Sequence, residues 1–200
     1  MKFSKLAALV REYQSATLLD DMYDGQVVRQ HVVVGGAVYP LDGFPVVDKD
    51  ALLTMMDIPK DKHAEYFIQR AEHTERTRKY TIDRAGNEEP AQMLGMTIAA
   101  NNKVLNILET ENGEIVFVDN AYRKVLGDEK TIEWWVRKLD SGVVAVATRG
   151  YQLVGCMAVE RNWVDDYVVE HLSDIAAVAA RMNDAKKAQE KNRDGEQQRM

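Results

Sequence analysis

A chain of 200 residues, 46% apolar and 29% charged, has an ordinary globular composition and can bury a core without disulfide or metal staples. Its formal net charge of −6 argues against broad wrapping of nucleic acid, although a local basic face is compatible with it. The single cysteine, Cys156, excludes an internal disulfide, and no run approaches the ~20 apolar residues of a membrane helix. These features predict a cytoplasmic protein with no membrane partner.

Phe3, Leu6, Leu9, Val10 and Tyr13 recur at helical spacing and predict an amphipathic opening helix. Residues 16–19 read as a short strand, Asp24-Gly25 as a turn, and the valine-rich 26–34 as a second strand. The loop Tyr39-Pro40-Leu41-Asp42-Gly43-Phe44-Pro45 follows. Asp48 is placed to cap a helix over 51–56, with Pro59 beyond it. The charged stretch 61–78 carries Ala64, Phe67, Ile68 and Ala71 on one narrow helical face and is expected to be helix. Residues 80–83 are expected to form a strand before the turn Ala85-Gly86-Asn87; the pattern of 92–100 fits neither period.

In the second half, 103–109 and 114–119 flank Asn112-Gly113 and predict a hairpin. Asn120 is expected to cap a short helix that Gly127 stops. Strands follow over 131–138, 143–148 and 152–159. Val164, Tyr167, Val168, Leu172, Ile175 and Val178 form the stripe of a final helix. The tail from 183 to 200 lacks aromatics and is expected to be disordered. The predicted fold class is α+β, with antiparallel sheet or sheets and packed helices. Its divisions are an N-terminal half over 1–100, a strand meander with final helix over 101–182, and the polar tail. Each half reads as a short helix followed by antiparallel strands.

Few residues suggest chemistry. Asp20, Asp21 and Asp24 have a spacing that resembles the aspartate-rich motif of prenyl-diphosphate synthases, where carboxylates hold magnesium and diphosphate. The other reading of these residues is an acidic hairpin turn. His31, His63, His73 and His171 show no metal-ligand spacing and are expected at solvated positions. Phosphate-loop and nucleophile-elbow patterns are missing, so no cofactor is expected. Trp134 and Trp135 alternate across a predicted strand. Either Trp135 and Arg137 form an exposed partner-binding patch, or both faces of the strand are covered.

From residue 114 to residue 159 the order is strand, short helix and three strands, with Asn120-Ala121-Tyr122-Arg123-Lys124-Val125-Leu126 as the helix. Over this stretch the chain resembles a domain of the bacterial DNA sliding clamp. As a whole, with its distinctive 39–45 loop, it looks like small uncharacterised prophage proteins. The clamp resemblance implies a non-catalytic protein that encircles DNA or docks partners, with Arg123 and Lys124 facing DNA. Residues 42–100 have no clear counterpart there.

Three function classes therefore stand: a non-enzymatic module binding DNA or protein; a metal-dependent enzyme on a small acidic or phosphorylated substrate, built on Asp20, Asp21 and Asp24; and a self-associating assembly protein joined through its last helix as a homo-oligomer.

Overall fold

The computed structural model describes residues 1–100, 102–127 and 129–160, together with His171, Leu172, Asp174, Ile175, Ala177, Val178 and Arg181. Helix α1 spans Phe3–Tyr13 and buries Leu6, Leu9 and Val10 of the predicted apolar face together with Ala7, while Tyr13 at its end is 38% exposed. It stops where Gln14 turns left-handed (φ 50°) and donates its N–H to Val10 O at 2.9 Å. Strands β1 (Ser15–Tyr23), β2 (Gln26–Val34) and β3 (Ala37–Pro40) follow as a meander. Positive φ at both Asp24 and Gly25 gives the β1–β2 turn the twist a tight hairpin needs. Helix α2 (Lys49–Met55) is capped as expected: Ala51 N–H donates to Asp48 Oδ1 at 2.8 Å.

The stretch 61–78 is not a helix. It divides into a 3-10 turn (Lys60–Glu65), strand β4 (Phe67–Glu72) and the four-residue helix α3 (Glu75–Arg78). Pairing with β1 satisfies one side of the β4 backbone, starting with Phe67 N–H to Gln14 O at 2.9 Å, so tertiary pairing overrides the weak helical periodicity. Thr74 and Thr77 form a reciprocal capping box that restarts the chain as α3. Residues 80–83 form no strand, and Ile82 O accepts from the buried guanidinium of Arg137.

Strand β5 covers Glu88–Ala100, including the stretch whose periodicity fitted neither class. It pairs with β6 (Lys103–Thr110), which turns through Gly113 into β7 (Ile115–Asp119). The β5–β6 hairpin straddles the expected division at 100/101. Helix α4 is only Asn120–Arg123, and its cap is Asp119 rather than Asn120: Ala121 N–H donates to Asp119 Oδ1 at 2.8 Å. The meander β8 (Glu133–Leu139), β9 (Gly142–Arg149) and β10 (Gln152–Ala158) completes the series.

All ten strands join in one sheet, ordered β4-β1-β2-β3-β10-β9-β8-β5-β6-β7. Among the described residues only the β1–β4 pair is parallel. At the centre β3 meets β10 (Val38 opposite Cys156, Ala37 opposite Met157). Two helix-then-meander units, α1-β1-β2-β3 and α4-β8-β9-β10, thus join through their last strands.

One face of the sheet carries the main core. Leu18, Val32, Tyr39, Met157, Ala145 and Val136 pack there with α1, α2 and the α4 turn. The opposite face carries two smaller clusters. Val38, Val144, Val146, Leu153 and Cys156 form one, with Tyr80 packed on it; Leu105, Ile107 and Phe117 form the other, with Leu172. Of the predicted terminal stripe, Leu172 is buried, whereas Ile175 and Val178 are 46% and 53% exposed. Val164, Tyr167, Val168 and the 183–200 tail lie outside the described residues.

Candidate functional site

The helix-bearing face holds a cleft of about 370 Å³ between α1 and α4. Lys5, Glu12 and Tyr13 line it from α1, Lys124 from the α4 turn, and Lys103 and Asp119 from the strands below. Sequence order brings these together because each helix precedes a meander and both meanders end at the sheet centre. The two units are tied at the cleft wall: Lys2 N–H donates to Val125 O at 2.6 Å, and Tyr13 and Tyr122 hydroxyls lie 2.7 Å apart. Partial burial, then the bond to Tyr122, pushes the Tyr13 phenol well above its usual range. Lys103 is anchored, 2.6 Å from Glu160 Oε1 and 3.8 Å from Asp119 Oδ2. The Glu160 bond is the main reason its pKa rises. Lys5 and Lys124 are exposed across the opening.

Arg123 and Lys124 line different openings. Lys124 faces this cleft, while Arg123 reaches Asn120 Oδ1 at 3.3 Å and lines a second opening of about 650 Å³. The second cleft opens where β5 leaves β8 after the Ala91–Trp134 pair. Met93, Ile132 and Trp134 give it an apolar lining, and Glu133 and Arg123 also line it.

The three aspartates do not converge. Strand alternation puts Asp20 on the core face and Asp21 on the other, and Asp24 sits in the turn. Buried Asp20 accepts from Gln30 Nε2 at 2.7 Å and from Arg70, and Gln30 in turn bonds Val47 N and O at 3.0 and 3.1 Å. The carboxylate therefore clamps β1, β2, β4 and the loop before α2. Among the described residues no group of three or more His, Cys, Asp or Glu is gathered to hold a metal ion.

Trp135 and Arg137 share a face, as expected, but that face is covered. Arg137 is 0% exposed; it donates to Glu88, to Lys79 O at 2.6 Å and to Ile82 O at 2.9 Å. Trp135 is half-buried, donates Nε1–H to Thr148 Oγ1 at 3.0 Å, and lies under the Arg84 guanidinium at 4.2 Å. Arg137 thus has no surface to offer a partner.

His31, His63 and His73 also depart from the solvated positions expected of them. His63 is buried between Ile58 O and Asp50 Oδ1, each 3.0 Å away. His31 and His73 meet edge to face, with His31 Nδ1 3.4 Å from His73 Nε2. His31 is 1% exposed, and its Nε2 has no hydrogen-bond partner among the described residues. Next to them Arg29 bridges Asp42 and Asp83 at 2.9 and 3.0 Å. Sequence reasoning misses the pair because 42 positions separate the two rings. The one available signal is parity: His31 shares a strand face with Arg29 and Val33.

Comparison with known proteins finds no matching family model, no matching curated protein and no matching solved structure.

Proposed function

We propose that this chain is a non-enzymatic, clamp-like binding module whose helix-bearing face lies against a nucleic-acid backbone. The observation that carries this reading is the joining of two helix-then-meander units at β3 and β10, which sets α1 and α4 side by side on one face. Lys5 and Lys124 then stand on either side of the cleft between them. An acidic body with a locally basic face keeps non-specific contacts confined to that face. Lys2, also exposed and at the start of α1, extends the same surface.

Binding of this kind rests on phosphate contacts and weakens steeply with salt. Fluorescence anisotropy with duplex DNA at low and near-physiological salt tests it. The paired change Lys5→Glu and Lys124→Glu is expected to weaken binding regardless of sequence. The salt slope should drop by about one for each phosphate no longer neutralised. Failure of the unaltered protein to retain DNA at low salt would overturn the reading.

A protein-docking version of the same function is favoured by the apolar cleft between β5 and β8. There Met93→Asp should abolish capture of a partner while leaving any DNA retention intact.

A further inference from the structure

Residues 73–87 run as a strap across the sheet face opposite the helices, and the fastenings of this strap are mostly polar. Its regular structure is limited to the single turn of α3. His73 touches His31; Arg78 lies 3.7 Å from Asp21; Lys79 O and Ile82 O take the Arg137 guanidinium. Asp83 receives Arg29 at 3.0 Å and Leu153 N–H at 3.1 Å. Beneath lies the apolar cluster of Val38, Val144, Val146, Leu153 and Cys156, onto which the strap lays Tyr80. An apolar sheet face is thus closed by a segment whose own apolar contribution is small.

We propose that the strap is an acid-released cover, with the His31–His73 contact as its latch. The geometry of the latch supplies the reason. His31 sits buried on β2 with one ring nitrogen facing its neighbour and the other, Nε2, unpartnered among the described residues. A proton added there puts a charge where nothing accepts its hydrogen bond. The charged groups around it are mixed. Arg29 on the same strand and His73 on the strap oppose a positive His31, whereas Asp42 after β3 and Asp21 on β1 favour one. His73 is opposed by Arg78 and favoured by Asp21 and Asp20. Burial is the largest influence on both rings and lowers both pKa values, His31 to about 4.

The sign follows. A group whose pKa is depressed in the closed state stabilises that state fully above its free value and loses that stabilisation as pH falls. The window runs from about 6.5, the free-histidine value, down to about 4. With those two values, His31 alone raises the open population about thirty-fold between about pH 8 and pH 5.

Cys156, the sole cysteine and 1% exposed beneath the strap, reports the opening. The full chain is labelled with a dithiodipyridine reagent at about pH 8 and pH 5, each rate divided by that of free glutathione. The normalised rate should rise about thirty-fold or more on acidification. It should be nearly unchanged by low urea, as for a local opening rather than global unfolding. In His31→Gln and in His31→Leu, two replacements of different character, the rise should shrink to a few-fold, with near-UV circular dichroism confirming the fold. If both folded variants accelerate as much as the unaltered chain, or if labelling follows urea as steeply as global unfolding, the latch is overturned. So it is if acid leaves Cys156 protected.

Discussion

Asp20 and Asp21 are consecutive in the chain and lie on opposite sides of the sheet: Asp20 accepts from Gln30 and Arg70 beneath the helices, whereas Asp21 faces Arg78 of the strap. The acidic run is therefore divided between two structural tasks. Asp20→Ala removes two hydrogen bonds, one from a charged donor, and leaves the buried Gln30 amide short of a partner. It should cost about 2–3 kcal/mol in urea denaturation. Asp24→Gly should be neutral or slightly stabilising, because the turn already holds a left-handed backbone there. Magnesium should shift neither midpoint.

The Arg137–Glu88 pair makes a sharper case. Both side chains are almost fully buried, and among the described residues Glu88 Oε2 has no hydrogen-bond partner, with Arg84 Nε 3.9 Å away. Arg137→Ala leaves the buried carboxylate with only the looser Arg84 contact and leaves two carbonyls without their donor, so a loss of about 3–5 kcal/mol is expected. Combining Arg137→Met with Glu88→Gln should recover part of it. A double-mutant cycle by chemical denaturation measures the coupling, and strict additivity would show that the pair contributes nothing as a pair.

Two glycines separate backbone strain from steric conflict. Gly25 and Gly35 both have positive φ, at 72° and 55°. A Cβ at Gly25 meets open space, and Gly25→Ala should cost only about 1–2 kcal/mol from the left-handed conformation. At Gly35 the same atom would lie 2.6 Å from Tyr122 Oη and 2.7 Å from Tyr13 Cζ. Gly35→Ala must therefore displace the tyrosine contact joining α1 to α4. A thermal melt should show a clearly larger loss for Gly35→Ala than for Gly25→Ala.

The terminal stripe divides in the same testable way. Leu172 packs on Leu105, Ile107 and Phe117, so Leu172→Ala should cost about 2–5 kcal/mol. Ile175→Asp places a charge at a half-exposed site and should change stability by no more than about 0.5 kcal/mol. If Ile175 joins copies of the chain, the same substitution lowers the mass in sedimentation while leaving the monomer folded.

Local pattern was enough to read α1, the β1–β2 hairpin, the Asp48 cap and the β6–β7 hairpin, because each is fixed by a short-range signal. It failed over 61–78, where β4 exists only because β1 offers it a parallel edge 52 positions away. It could not identify the cleft, since Lys5 and Lys124 become neighbours only through the β3–β10 seam. The burial of Arg137 was equally hidden. Strand parity put it beside Trp135, but the cover comes from residues 79–82 of another segment.

That same seam bears on how the protein is made. Val38 is synthesised 118 positions before its partner Cys156. At ~5–20 residues per second, the outer edge of β3 waits roughly 6–24 s on the ribosome for the strand that will cover it. During that interval it is an open template for any other nascent strand. The edge is only four residues long and ends at Pro40, which has no N–H to give. Brevity and that proline limit premature pairing, so the weakest-looking strand of the sheet is suited to being the one left waiting.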